Sequence, residues 1–177
     1  MPAVGIGAAL STIVGQNLGA NNLPRIKQAF RISLLWSFLF LCFTGGILWL
    51  FSTQLVGIFS STSEVLSVGS YYLKILAITT WSISFFNCSI GLFNGSGHTS
   101  HSMFLEAGRL WVIRIPLIIG LAYIPFLKTD GILYAIGLSN IISGIIAYAL
   151  TFTGVWKHAK IKSLYIGCYI DIILWEK

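Results

Sequence analysis

Two polar side chains, Ser84 and Asn87, recur at helical spacing with Gly91 inside an otherwise apolar stretch. Polar groups in an apolar helix tend to face the interior of a bundle or a water-filled cavity, so this face is predicted to line a substrate pathway. Gln16 and Asn17 occur inside another apolar stretch and carry the same prediction. Hydrogen bonding between helices explains both pairs equally well. One of the two amides is also expected to bind backbone carbonyls that are freed where the helix ends.

The acidic and histidine side chains indicate no catalytic or metal centre. His98 and His101 are three residues apart, but no further ligand completes a metal site around them. No acid falls within an apolar stretch long enough to span a membrane, so no carboxylate pair is placed for acid–base catalysis inside one. Three acids are predicted to lie in loops and two in the C-terminal tail: Glu64, Glu106 and Asp130, then Asp171 and Glu176. No enzyme activity, catalytic residue, metal or cofactor is therefore predicted.

The composition predicts a protein that resides in a lipid bilayer. Of the 177 residues, 56% are hydrophobic and only 9% are charged, whereas soluble domains carry about 25% charged residues. The net charge of +6 raises nucleic-acid binding as an alternative. The cations cluster between apolar runs and form no basic stripe, so a nucleic-acid partner is not predicted.

Five apolar segments qualify as membrane spans, each of which needs about 20 predominantly apolar residues. The chain is therefore predicted to be an all-α membrane protein with spans near residues 3–20, 35–59, 71–93, 110–127 and 132–156. The remaining tail, residues 161–177, contains an apolar run that Asp171 interrupts and that is too short to span. No structure is predicted for this tail.

The basic residues alternate between the loops and predict an orientation. Cations follow the first span, flank the start of the fourth and follow the fifth. Cytoplasmic loops carry an excess of lysine and arginine, so residues 21–33, residues 94–109 and the C-terminus are predicted to be cytoplasmic. Residues 60–70 contain no cation and are predicted to be external. Arg109 and Arg114 are predicted to anchor the cytoplasmic end of the fourth span.

The segment that ends the first span has the residues of a close helix contact followed by a turn. Gly15 and Gly19 are four residues apart, a spacing of small residues that lets another helix approach closely. Asn21 and Asn22 tolerate the left-handed conformation in which helices end. Pro24 suits the first turn of the following helix. The sequence therefore predicts a packed helix, a tight turn and a second helix.

Three short motifs resemble the multidrug and toxic compound extrusion (MATE) family of transporters. Residues 14–31, VGQNLGANNLPRIKQAFR, are similar to the family signature at the cytoplasmic end of the second helix of each six-helix half. Residues 91–99, GLFNGSGHT, resemble the turn that ends the fourth helix, and residues 111–117, WVIRIPL, resemble the start of the fifth. The motifs occur in the order that the family has and are about one helical hairpin apart.

The resemblance implies that the chain forms an incomplete six-helix lobe, the C-terminal half of a MATE-like bundle over residues 1–160. Its partner would be a missing N-terminal lobe, and a complete small five-span protein is the alternative. The resemblance also implies a family turn that six residues build: Gly15, Gly19, Gly95, Gly97, His98 and Thr99. His98 stands where the family motif has an acid.

The implied activity is secondary antiport at the plasma or cell membrane, in which organic cations or drugs leave in exchange for Na⁺ or H⁺. The predicted spans hold no acid for a coupling cation, so coupling is expected through the missing lobe. One alternative is a lipid-linked sugar flippase of the same superfamily, which is expected to have a more cationic cavity. Another is a membrane scaffold subunit that does not transport.

Overall fold

The computed structural model describes residues 2–59, 62–123 and 128–157, with backbone alone for residues 128–130. All the elements in these ranges are helical. They are α1 Pro2–Gly19, α2 Leu23–Leu50, α3 Ser52–Gly57, α4 Ser63–Thr79, α5 Ser82–Gly95, α6 Thr99–Ala107, a π-helical segment Gly108–Arg114, α7 Ile115–Ala122, α8 Lys128–Thr151 and a 3-10 turn Val155–Lys157. The predicted tail, residues 161–177, lies outside the described residues.

Two described helices are each long and apolar enough to cross a membrane: α2 and residues Gly131–Thr151 of α8. α4 and α5 are bent by 54° at their junction and add a third candidate if they form one broken span. The prediction of an all-α membrane protein is confirmed. The described helices thus support two or three spans by length and composition, and the count of five stays a prediction.

The bend between α4 and α5 follows from hydroxyl side chains that compete for the backbone. Thr80 Oγ1 donates a hydrogen bond to the Leu76 carbonyl at 2.6 Å, and Ser82 Oγ donates one to the Thr79 carbonyl at 2.7 Å. Serine and threonine bonds of this kind bend helices. The sequence predicted one span over residues 71–93, whereas the structure divides this segment into two helices.

α1 and α2 are joined by a tight turn that the asparagines form as predicted. Asn21 adopts a left-handed conformation, with φ of 56°. The Asn22 N–H bonds the Asn17 carbonyl at 2.8 Å and the Asn21 N–H bonds the Leu18 carbonyl at 3.1 Å, the paired bonds that close a helix end. Asn22 then caps α2, because its Oδ1 accepts a bond from the backbone N–H of Arg25 at 3.3 Å.

α5 and α6 are joined by the same device with a glycine at the left-handed position. Gly97 has φ of 81°. The His98 N–H bonds the Phe93 carbonyl at 2.9 Å, and the Gly97 N–H bonds the Asn94 carbonyl at 3.1 Å. A side chain at Gly97 would be strained in this conformation. The motif turn that ends α5 is therefore a close counterpart of the turn that ends α1.

Two helices begin earlier than the apolar segments do. α2 starts at Leu23 and α6 at Thr99, so most of the predicted loops 21–33 and 94–109 are helical. The prediction of loops there is wrong because charged residues limit an apolar segment without ending a helix. Exposed arginine and lysine side chains in a first turn can extend into water while the backbone stays helical.

α5 lies at the centre of the bundle, in contact with α1, α2, α6 and α8. Its side chains Phe86, Leu92 and Phe93 are almost completely buried. Leu10 and Val14 of α1 complete the same apolar core. A helix with neighbours on several sides can hold polar residues only where the packing supplies hydrogen-bond partners. The contacts of the polar residues in α5 therefore distinguish helix packing from a pathway lining.

Glycines bring α1 and α5 into backbone contact along one seam. A Cβ atom added at Gly7 would lie 2.8 Å from the Asn87 carbonyl oxygen. Added Cβ atoms at Gly91 and Gly95 would overlap the carbonyl oxygens of Gly7 and Ser11. These residues form the α1–α5 seam, in which small residues every fourth position let the two helices touch.

Candidate functional site

Ser84 and Asn87, predicted to line a pathway, lie within the packed interior of the bundle. Ser84 is fully buried, and its Oγ donates to the Trp81 carbonyl of its own helix at 2.6 Å. Asn87 is half-buried, and its carbonyl and Cβ lie against Gly7 across the α1–α5 seam. These contacts favour helix packing as the explanation of both residues. A pathway role for them stays a prediction.

Gln16 and Asn17 lie beside a cavity of about 440 Å³ between α1 and the start of α2. The Asn17 amide donates to the Ile13 carbonyl at 2.8 Å. Ile13 lies inside α1, so this bond is not to a carbonyl freed at the turn, and that role stays a prediction. Gln16 is exposed, and Arg25 and Gln28 complete the polar wall of this cavity. The lining does not include Ser84 or Asn87, so this cavity does not bring the four predicted pathway residues together.

The family-motif glycines have different surroundings. A Cβ atom at Gly15 would lie 3.4 Å from the Gly95 carbonyl oxygen, so the first two motifs meet at the α1–α5 seam. Gly19 has nothing within 4 Å of such an atom and is exposed. The prediction of a close helix approach at Gly19 is therefore wrong, because the turn at Asn21 carries the chain away from α5.

His98 and Thr99 lie at the turn between α5 and α6. His98 Nδ1 and Ser96 Oγ are 3.1 Å apart, and the ring of His98 contacts the ring of His101 edge-on. His101 also stacks on Phe93, with 5.6 Å between ring centroids. Among the described residues, no three histidine, cysteine or acidic side chains are close enough to hold a metal ion. The histidines therefore hold this turn together by ring packing.

Arg109 and Arg114 lie in the π-helical segment and do not share one environment. The Arg109 guanidinium lies over the Phe86 ring, 4.7 Å from its centroid, a cation–π contact between this segment and α5. Arg114 reaches α8, where its Nε donates to Ser139 Oγ at 3.1 Å and its Nη2 donates to Asn140 Oδ1 at 2.9 Å. In this structure the two arginines anchor the π-helical segment to α5 and α8.

Sequence reasoning missed Ser139 and Asn140, which are almost completely buried. The available signal was a Ser-Asn pair, with Ser143 one turn later, inside the apolar run of α8. Buried polar residues of this kind need partners, and the arginine on the neighbouring helix supplies one. The fork of the guanidinium contacts both acceptors at once.

A second cavity, of about 310 Å³, lies where the start of α2 meets the end of α8. Three cations line it: Lys27 and Arg31 from α2, and Lys157 from the 3-10 turn. Aromatic rings form much of its wall: Phe30, Tyr148, Phe152 and Trp156. We call this space the basic–aromatic cavity. No sequence motif indicated it, because its residues come from three separate parts of the chain.

Comparisons with known proteins agree with the resemblance. Residues 1–119 match the MatE family. The chain is 28% identical over 117 residues to the probable multidrug resistance protein NorM of Thermotoga maritima, covering 66% of this chain and 25% of that protein. It is 27% identical over 171 residues to the probable multidrug resistance protein YoeA of Bacillus subtilis, covering 93% and 35%. An FAD transporter of Shewanella oneidensis is 28% identical over 145 residues, covering 82% and 32%.

A solved structure shares the fold. It is the inward-facing conformation of a multidrug resistance MATE family transporter of the MOP superfamily. The TM-score is 0.80 at 19% identity, over 84% of this chain and 34% of the other. The chain spans only about a third or less of the proteins that it matches.

Proposed function

Because this chain belongs to the MatE family, we propose that it forms part of a secondary active transporter that extrudes organic cations or drugs. The match of residues 1–119 to the family carries the proposal, and the names of the Thermotoga and Bacillus relatives support it. The chain is an integral membrane protein, and its place in a transporter family confirms the prediction that it is not an enzyme. The lobe described here would act with a second lobe, since alternating access needs two.

The coupling ion, Na⁺ or H⁺, is proposed to bind outside the described residues. Glu64 lies in the first turn of α4 and Glu106 lies in α6, so the prediction that these acids are in loops is wrong. Asp130 belongs to the first turn of α8. Neither glutamate lines the two cavities described above. A coupling carboxylate is therefore expected from the second lobe.

A graft tests the proposed transport. Residues 3–157 of this chain would replace the matching segment of Bacillus subtilis YoeA, and the graft would be reconstituted in liposomes with a Na⁺ or proton gradient. We expect the graft to move a fluorescent cationic dye against its gradient, and the 177-residue chain alone to move none. An ionophore that collapses the gradient provides the matched control.

Two results would contradict the proposal. A graft that inserts at normal yield but moves no dye would show that this lobe does not serve a drug transporter. Dye movement by the chain alone that Asn87→Ala abolishes would show that the chain needs no second lobe, and that Asn87 acts in a pathway rather than in packing.

A phosphate-bearing substrate is the second candidate, of which a lipid-linked sugar is one example. One relative is named an FAD transporter, and cations line both cavities. The same liposomes loaded with FAD distinguish the two candidates. Movement of FAD without movement of the cationic dye would favour the phosphate-bearing substrate.

We propose that the α1–α2 turn and the end of α8 face the cytoplasm. The basic–aromatic cavity joins Lys27 of α2 with Lys157, so these two ends lie at the same end of the bundle. Residues 60 and 61 of the predicted external segment lie outside the described residues, so Glu64 at the start of α4 is used as the external position. In a variant without native cysteines, Glu64→Cys is expected to react with an impermeant thiol reagent from outside intact cells. Asn22→Cys should react only after the cells are opened. Labelling of both positions from the same side would contradict this assignment.

A further inference from the structure

We propose that the basic–aromatic cavity binds the phosphate headgroup of an anionic phospholipid, with an acyl chain lying along the aromatic side chains beside it. The cavity has about 310 Å³ and opens at the surface between α2, α5 and α8. It is separate from the polar cavity at Gln16 and Asn17, which different residues line.

Charge selects the class of ligand. Lys27, Arg31 and Lys157 line the cavity, and none of its ten lining residues is acidic. Three positive groups around one space attract a phosphate and repel an organic cation. Lysine and arginine bind phosphate oxygens through charge-assisted hydrogen bonds. The cavity therefore suits an anion and does not suit the drug-like cations proposed as substrates.

The aromatic wall continues away from the cations as one connected row. Tyr148 stacks on Phe30 at 6.4 Å between centroids and contacts Phe85 edge-on at 5.2 Å. Phe85 in turn contacts Phe38 and Trp81 at 6.1 and 6.0 Å. These rings are half-buried, so each presents a face beside the surface of the bundle. A row of apolar faces that leads from a basic cavity matches a lipid, which has a charged head and an apolar chain.

The backbone position of Lys157 is fixed by the turn that follows α8. α8 ends at Thr151, and Gly154 reverses the chain with φ of 73°. Trp156 is only 6% exposed, and its Nε1 donates to the Thr151 carbonyl at 2.8 Å. The Lys157 N–H bonds the Gly154 carbonyl at 3.0 Å. This turn fixes the backbone of Lys157 at the cavity that Lys27 also lines, so the third cation lies there in the absence of a ligand.

The position of the cavity, beside the ends of the candidate spans, agrees with the level of a lipid headgroup. Two helices are long and apolar enough to span, α2 and Gly131–Thr151. The start of α2 and the end of Gly131–Thr151 lie beside the cavity. Tryptophan and lysine at the end of a span are typical of the membrane interface. Basic residues near an anionic membrane surface each contribute about a fivefold factor in affinity. Three of them predict a preference of roughly a hundredfold for an anionic lipid over a zwitterionic one.

The test measures lipid binding to the purified 177-residue chain by native mass spectrometry during titration with phosphatidylglycerol or phosphatidylcholine. We expect one phosphatidylglycerol to bind much more tightly than phosphatidylcholine. The triple variant Lys27→Gln, Arg31→Gln, Lys157→Gln should bind phosphatidylglycerol roughly a hundredfold more weakly, with phosphatidylcholine binding unchanged. Lys27→Gln alone changes an exposed side chain and should weaken binding about fivefold, so the test does not depend on folding of the triple variant.

The matched control is Arg25→Gln, which removes the same charge from the same turn of α2 but lines the other cavity. It should change phosphatidylglycerol binding less than about twofold. Equal binding by the wild type and Lys27→Gln, or an equal loss in Arg25→Gln, would overturn the proposal. Displacement of phosphatidylglycerol by millimolar inorganic phosphate would assign the cavity to a soluble anion instead. Failure of phosphate to displace the lipid supports the lipid.

Discussion

Replacing Gly91 with alanine is expected to destabilise the bundle by about 2–4 kcal/mol, although it adds one methyl group. The added Cβ would overlap the carbonyl oxygen of Gly7 and lie 3.0 Å from its carbonyl carbon. Both atoms belong to the backbone of α1, so no rotamer change relieves the overlap and the two helices must separate. The fraction folded in detergent, followed by helicity during titration with a denaturing detergent, measures the effect.

Gly5→Ala is the matched control, because Gly5 is in α1 only two residues from Gly7 and has nothing within 4 Å of an added Cβ. Alanine favours a helix over glycine by about 0.5–1 kcal/mol, so this variant should be as stable as the wild type or slightly more stable. Gly19→Ala should behave similarly. Equal losses of stability in Gly91→Ala and Gly5→Ala would remove the argument that the α1–α5 seam packs backbone against backbone.

The contrast between these glycines shows how far the spacing of small residues predicts close helix packing. Gly15 and Gly19 have the spacing that permits close helix packing, and so do Gly7, Ser11 and Gly15. Every member of the second set meets α5, whereas Gly19 of the first set does not. The position of α5 and the direction of the chain after Asn21 decide which small residues are in contact. Spacing identifies a helix that can pack closely, but the surface that does so depends on distant parts of the chain.

Local signals were read more successfully than distant ones. The left-handed turn at Asn21 and the early Pro24 follow from the conformational limits of those residues, and the structure has both. The start of α6 at Thr99 was missed, because a helix that continues beyond its apolar part leaves no mark in hydropathy. The bend before Ser82 was also missed, although its hydroxyl residues were visible as a polar run.

The basic–aromatic cavity and the Arg114 contacts could not be predicted from the sequence, because they depend on residues that are far apart in the chain. The basic–aromatic cavity needs the start of α2 and the end of α8 to meet, which places Lys27 beside Lys157 from far along the chain. The sequence predicted both cations on the same side of the membrane from the charge bias of the loops. It could not place them in one cavity, since that requires the packing of α2 on α5 and α8.

Arg114 offers the clearest case of a polar contact that links two helices. A charged side chain within an apolar bundle is costly unless it is paired, and Arg114 obtains two acceptors from α8, Ser139 and Asn140. Ser139 Oγ also donates to the Ile136 carbonyl at 2.8 Å, so it retains a partner if the arginine is removed. Asn140 Oδ1 would lose the donor that Arg114 supplies. The bond between Arg114 and Asn140 should therefore carry most of the coupling between the two helices.

Arg114→Ala is expected to destabilise the bundle by about 2 kcal/mol, and Asn140→Ala by a similar amount, since hydrogen bonds to charged groups contribute about 1.5–3 kcal/mol. The double variant should cost about 1–2 kcal/mol less than the sum of the single variants. Arg114→Lys should recover only part of the loss, because an ammonium group lacks the fork that contacts both acceptors. Detergent-denaturation curves of the four proteins in the cycle give the coupling, and Arg25→Ala, an exposed arginine, should leave the curve nearly unchanged. Strictly additive losses would show that Arg114 and Asn140 act independently, and that their hydrogen bond does not couple the two helices.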